Sequence, residues 1–333
     1  MKTINRLALF AIVAIVMCMI GCGKDDDIID PIIDPIIDDV PSDSIIQVRN
    51  FDIYMDGVLD KDVLYGFDGE KYKDFFINHI HNTINNYIKY SIVDTFLVVR
   101  GSDISPFHPK YGGIETISLC TEVVLDSTHY KLTTIGRKAF EDCEFYNINI
   151  PSSLSSIESR AFSSCINLDE IDLSSVKFIG DSAFYHCGML KNINLKNVEY
   201  VGASAFYGCY NVSVEFSDNL KYIGRGAFTS CVGISDLTIP DGDVQISDRA
   251  FDECIYLKSL HLGKNVKSIG DKAFWGCCSL KDVVIMAKEP PALGTDVFPV
   301  TNDSFYIYVP SEYVEKYKSD VAWSQYKDVI KSI

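Results

Sequence analysis

The apolar positions between Ala139 and Cys277 recur as one block. Ala-Phe-x-x-Cys appears seven times, at Phe140/Cys143, Phe162/Cys165, Phe184/Cys187, Phe206/Cys209, Phe228/Cys231, Phe251/Cys254 and Phe274/Cys277. Successive phenylalanines stand 22, 22, 22, 22, 23 and 23 residues apart. Five residues before each lies an aliphatic side chain: Ile135, Ile157, Ile179, Val201, Ile223, Ile246 or Ile269. Gly follows it except at Glu158 and Ser247. After each Cys comes a Leu-x-x-Ile-x-Leu run, clear at Leu168/Ile171/Leu173 and Leu257/Leu260/Leu262, and one residue short at Val212/Val214/Phe216. A fixed period of this length marks a solenoid, whose coils bury a common core only by stacking.

Each part of the block predicts an element. The Ile-x-Leu alternation suits a strand with one face inward, and equivalent strands one coil apart pair in parallel at about 4.8 Å. The Ala-Phe-x-x-Cys segment is too short for a full helix, so a helical turn or 3₁₀ piece is expected. Ala allows neighbouring coils to approach, and each Phe fills the interior and stacks on the next. Leu293-Gly294 to Phe298 keeps the step with Val297 in place of Ala, and Ile114/Ile117/Leu119 fits the strand pattern upstream. Such degenerate ends belong to terminal coils, which face water on one side. About eight or nine coils are expected over 114–310. Tyr317, Trp323, Tyr326 and Ile330 predict an amphipathic capping helix over 311–333.

The unit Ile-Gly-x-x-Ala-Phe-x-x-Cys-x-x-Leu-x-x-Ile-x-Leu-Pro resembles the BspA-like, or Treponema pallidum-type, leucine-rich repeats of bacterial surface proteins. The likeness covers 114–310 and extends to the closing Tyr308-Val309-Pro310. It implies surface adhesion and contact with a host protein or glycan. It supplies no ligand-binding residues, because the repeated positions are core positions.

The segment 48–113 has a different texture. Tyr72, Phe76, Ile80, Ile84 and Ile88 lie at helical spacing across 70–90, and the Ile92–Arg100 run reads as a strand. A small α+β domain is predicted, too short for secure independent stability and therefore docked on the solenoid. The fold class is thus a repeat solenoid with short helical turns, preceded by that small domain.

The chain begins with Lys2 and Arg6 ahead of an apolar stretch from Leu7 to Ile20, the pattern of an export signal over 1–22. Met19-Ile20-Gly21-Cys22 resembles a lipobox, which makes Cys22 the expected lipidation site. Lys24-Asp25-Asp26-Asp27 resembles the Lys-plus-acidic signal of surface-exported lipoproteins. An outer-membrane lipoprotein displayed on the cell surface is expected, held to the membrane through its N-terminal lipid only. Residues 23–47 read as a linker with repeated Ile-Ile-Asp-Pro and eight aspartates between 25 and 43. Proline and mutual repulsion keep such a tether extended, at about 3.1 Å per residue. It lacks the Gly and terminal Glu of a calcium loop.

Charge narrows the partners. The chain carries a formal −16, and loss of Lys2 and Arg6 with the signal makes it −18. That balance argues against nucleic acid and against lying flat on an anionic membrane. Catalytic signals are lacking: there is no His-Glu-x-x-His, Walker loop or Gly-x-Ser-x-Gly elbow. Gly180-Asp181-Ser182 looks like a nucleophile motif, but the equivalent positions hold Ala203-Ser204 and Asp271-Lys272. Of eleven cysteines, Cys18 belongs to the signal and Cys22 to the lipid, which leaves nine. An odd number cannot pair fully, and stacked cysteines present parallel Cβ vectors that suit a bridge poorly. A reduced interior ladder is expected, with Cys278 pointing elsewhere. No metal, cofactor or enzymatic activity is predicted.

Two strips can meet a ligand. The outward residues of the Ile-x-Leu strands are Asn149, Asp172, Asn194, Glu215, Thr238 and His261, a mixed polar strip. The residues before the Ile-Gly step include Phe178, Tyr200 and Tyr222 in consecutive coils, and those after the core Phe include Tyr185 and Tyr207. Together these five predict an exposed aromatic patch suited to protein hot spots or sugar stacking. The function expected is non-covalent adhesion to a host protein or glycan. The alternative is an assembly subunit of an envelope complex with no external ligand.

Overall fold

The computed structural model describes residues 116–299 and 305–333, apart from 120, 126 and 127, together with six strands between Asp52 and Arg100. The signal, Cys22, the linker and Cys120 lie outside the described residues. The chain divides into two compact units, and the second, Ile45–Ile333, holds every described residue.

Each coil has two short strands and a turn. In the Ile-Gly strands the aliphatic residue points inward and its predecessor outward, so Phe178–Ile179 and Tyr200–Val201 alternate exposed and buried. These strands pair in parallel, coil upon coil, from Thr128–Ile135 to Ala292–Leu293. The Ile-x-Leu strands behave likewise, with Leu237 and Ile239 buried and Asp236 and Thr238 exposed. They fall into three sheets of three, two and five strands. One break separates Val214–Phe216 from Asp236–Ile239, beside the coil whose run is a residue short.

The core is a column of rings. Phe140, Phe162, Phe184, Phe206, Phe228, Phe251, Phe274 and Phe298 stack in sequence, with centroids 5.1–5.6 Å apart and planes within 14°. All eight are buried, with the degenerate Phe298 copy in line behind Phe274. Ring spacing follows coil spacing because the backbone of each Phe is tied to the next coil: Phe162 N–H donates to Ala183 O at 2.7 Å, and Phe184 N–H to Ala205 O at 2.7 Å. The small Ala makes room for this approach.

The Ala-Phe-x-x-Cys turn is neither α-helix nor 3₁₀ helix. Two residues before and two after the core Phe the backbone is left-handed, at Ser182 and His186, Ser204 and Gly208, and Gly226 and Ser230. Tight turns then close by hydrogen bonds such as Ala183 N–H to Gly180 O and Cys187 N–H to Phe184 O. These reversals stop a helix from propagating and leave alternate N–H groups aimed at the next coil.

The repeat cysteines are buried free thiols, as expected, and Cys278 is exposed. From Cys165 to Cys277 each thiol of the repeat reaches back one coil: Cys187 Sγ donates to Phe162 O at 3.0 Å and Cys209 Sγ to Phe184 O at 3.0 Å. Cysteine thus supplies a small apolar body and a weak donor at once. Burial raises the thiols of Cys187, Cys209 and Cys231 well above the ordinary range.

Two expectations are corrected. The described residues within 70–90 are not helical: Asp74–His79 and Asn86–Val93 are antiparallel strands. The two strands pair with Phe76 opposite Lys89 and Ile77 opposite Ile88, so the four-residue spacing from Phe76 to Ile88 does not mark one face, and the aromatic and β-branched content favours strands. The Ile92–Arg100 run is likewise the end of one strand and the whole of another, Phe96–Arg100, paired antiparallel. Phe96–Arg100 pairs in parallel with Thr128–Ile135, so this sheet runs on into the solenoid. At the other end, the cap is a short helix (Val314–Ser319), a 3₁₀ turn (Trp323–Tyr326) and an added strand (Ile330–Ser332). Tyr317 Oη donates to Ala287 O at 3.0 Å and Trp323 Nε1 to Pro291 O at 2.8 Å, which seals the last coil.

Candidate functional site

The strip beginning at Phe178 forms because the strand that carries it is two residues long in each coil. Ile179, Val201 and Ile223 are fixed in the core, so Phe178, Tyr200 and Tyr222 must face outward in register. Their rings stack face to face, Phe178 on Tyr200 at 5.0 Å and Tyr200 on Tyr222 at 4.7 Å, with planes within 13°. Phe178 is 41% exposed, Tyr200 36% and Tyr222 half-buried, so the stack is a ridge that opens to solvent most fully at its Phe178 end. Desolvation by its neighbours raises the Tyr200 phenol, helped by Tyr222 and Asp181.

Tyr185 and Tyr207 form a separate stack. They sit on the turns, half-buried, with ring centroids 5.1 Å apart. His186 stands edge-on to Tyr185 at 4.3 Å, and burial lowers its imidazole. Tyr207 is raised, first by burial and then by Tyr185 and Glu253. Among the described residues no ring contact joins this pair to the Phe178–Tyr222 ridge. The five aromatics expected as one patch therefore make two stacks, of which the ridge is the more open.

The polar strip is exposed at Asn149, Asp172, Asn194, Glu215, Thr238 and His261. It is divided among the three Ile-x-Leu sheets, and several members do structural work. Asp172 Oδ1 accepts the Ser174 N–H at 2.9 Å, and Asn194 Oδ1 accepts the Lys196 N–H at 3.1 Å, each closing a turn. Glu215 pairs with Lys196 at 3.0 Å. A continuous ligand face is less well formed here than on the ridge.

The Asp181 reading as a nucleophile motif is displaced by its contact: Asp181 Oδ1 accepts the Ala203 N–H of the next coil at 2.6 Å. Asp248 and Asp271 repeat the device on the N–H groups of Asp271 and Thr295. This series of side-chain-to-next-coil bonds was hidden in the sequence, because Ala203 and Arg225 interrupt it. Among the described residues no group of three or more His, Cys, Asp or Glu is placed to hold a metal ion.

The fold and the period agree with the comparisons. The model of the BspA-type leucine-rich-repeat region matches in six copies over residues 118–231 and 177–303, more than half of the chain. The chain belongs to the BspA-type leucine-rich-repeat family. No curated protein sequence matches it. Among solved structures it is similar to a leucine-rich repeat protein from Bacteroides ovatus ATCC 8483, at 21% identity over 69% of this chain and 71% of that one, TM-score 0.45. It is also similar to the T. pallidum leucine-rich repeat protein TpLRR, at 23% identity over 63% and 85%, TM-score 0.41. A leucine-rich repeat protein from Eubacterium ventriosum ATCC 27560 is similar at 22% identity over 61% and 50%, TM-score 0.48. The matching family is one of repeat scaffolds and indicates no enzymatic class.

Proposed function

We propose that this protein is a lipid-anchored, surface-displayed adhesin that binds a host protein or glycan non-covalently through the Phe178–Tyr200–Tyr222 ridge. The observation that carries the reading is the ridge itself. Three large rings stand outward on consecutive coils, stacked at 5.0 and 4.7 Å, while the same register position holds Thr134 and Ser156 upstream and Gln245 and Ser268 downstream. A requirement of the repeat would recur in every coil; this feature is local. Stacked rings also fix each other's rotamers, so a ligand meets a preorganised surface. The export signal, lipobox and acidic tether supply the route outward, and the negative charge keeps the tethered domain soluble and off anionic lipid.

The test is an array of matrix proteins and glycans probed with the full chain and with a Tyr200→Ser, Tyr222→Ser variant of unchanged circular dichroism. Loss of two rings at the centre of a contact is expected to weaken capture roughly thirtyfold or more. Undiminished capture by the folded variant, or no capture by the parent chain, refutes the ridge as the contact face.

A further inference from the structure

The aromatic ridge ends abruptly. In the three coils after Tyr222 its register position holds Gln245, Ser268 and Ala292. The lost ring volume leaves a shallow groove of about 480 Å³, closed at one end by the Tyr222 ring and edged by Arg225 and Asp248. Its polar groups are free to meet a ligand. Neighbouring coils pair some of their charges, as Lys221 with Glu199, Lys264 with Asp241 and Lys267 with Asp243. Among the described residues the side chains of Arg225, Gln245, Ser247 and Ser268 have no hydrogen-bond or ion-pair partner. Asp248 uses Oδ1 on the Asp271 N–H and is otherwise exposed.

We propose that this groove binds a neutral pyranose unit of a glycan. The inference rests on the ridge as a binding face, because Tyr222 belongs to both. A pyranose has one face of C–H groups and a rim of hydroxyls. The C–H face lies against the electron-rich face of Tyr222. The rim meets a guanidinium that donates, a carboxylate that accepts, and Gln and Ser groups that do both. Arg225 and Asp248 cancel in charge, and the chain carries −16 overall, so an anionic sugar is disfavoured. An extended peptide is a poor occupant. Tyr222–Ile223 and Gln245–Ile246 are each paired on both sides, so the groove offers no free strand edge.

The experiment measures binding of the full chain to neutral oligosaccharides of glucose, mannose, galactose and N-acetylglucosamine, with sialylated and sulfated oligosaccharides alongside. At least one neutral series is expected to bind. Gln245→Tyr carries the ridge one coil further and fills the groove; Arg225→Ala removes an exposed donor without touching the core. Each is expected to weaken sugar binding roughly tenfold or more, while Lys258→Ala, at an exposed position outside the groove lining, leaves it intact. Absence of neutral-sugar binding, preference for the anionic sugars, or indifference to both groove variants overturns the proposal. If sugars fail but a matrix protein is captured in a Tyr200- and Tyr222-dependent way, the groove assignment falls and the ridge stands. If sugars bind and Gln245→Tyr alone abolishes it, with no capture dependent on Tyr200, the groove stands and the ridge falls.

Discussion

Asp252 follows a core phenylalanine and is buried, although Tyr185, Tyr207 and Trp275 occupy the same place in other coils. Its Oδ2 accepts from Arg249 Nη1 at 3.0 Å, while Oδ1 has no partner. Burial, then the adjacent Glu253, push its pKa up to about 7 against the pull of Arg249. A folded pKa above the unfolded one means that the native state holds the extra proton. Stability therefore rises as pH falls from about 7 towards 4, and the penalty is complete above 7. Asp252→Asn is expected to stabilise the protein at pH 8 by on the order of 2 kcal/mol, with the gain fading towards pH 4. Urea midpoints at pH 8, 6 and 4.5 check this; a pH-independent difference counts against it. At this scale the sequence was legible inside the coil and poorly legible across coils. The cysteines could be read as small buried hydrophobes. Their bond to the preceding phenylalanine carbonyl could not, because it depends on which groups the stacking brings opposite each other.

The turn keeps its backbone shape from coil to coil while its residues change. Its left-handed positions carry Gly in some coils and Ser, Arg, Lys, His, Asp or Glu in others, at a cost of about 1–2 kcal/mol for each non-Gly residue. Gly208, at φ 71°, has a second constraint: a Cβ there would lie 2.8 Å from His186 Nδ1. Gly208→Val should destabilise by roughly 2–3 kcal/mol in a thermal or urea melt, since strain and crowding add. His186→Gly, in the coil below, should stay within about 1 kcal/mol of the parent. Equal losses would contradict the turn geometry. The same level shows what spacing could not decide. Two-residue strands such as Tyr200–Val201 are too short for any period to reveal, so only the recurring Ile-Gly step marked them. The four-residue spacing over 70–90 suggested a helix because it ran across a strand boundary that spacing alone does not mark, and the pairing of Asp74–His79 with Asn86–Val93 overrides it.

At the scale of the molecule, identical coils in contact only with their neighbours make stability a sum of coil and interface terms. The interior column is common to all coils, so it explains the fold and says nothing of the ligand. The proposed function rests instead on where the outer positions stop repeating: the ridge at Phe178–Tyr222 and the groove after it. Both depend on the column holding successive coils near 5 Å apart. Urea denaturation of Phe184→Ala, at the middle of that column, tests this most directly. Removing one ring between Phe162 and Phe206 is predicted to cost roughly 3–5 kcal/mol, through lost transfer energy and the cavity left behind. A loss below about 1 kcal/mol would mean that Phe184 is not an interior rung, and the surface that depends on the column would lose its foundation.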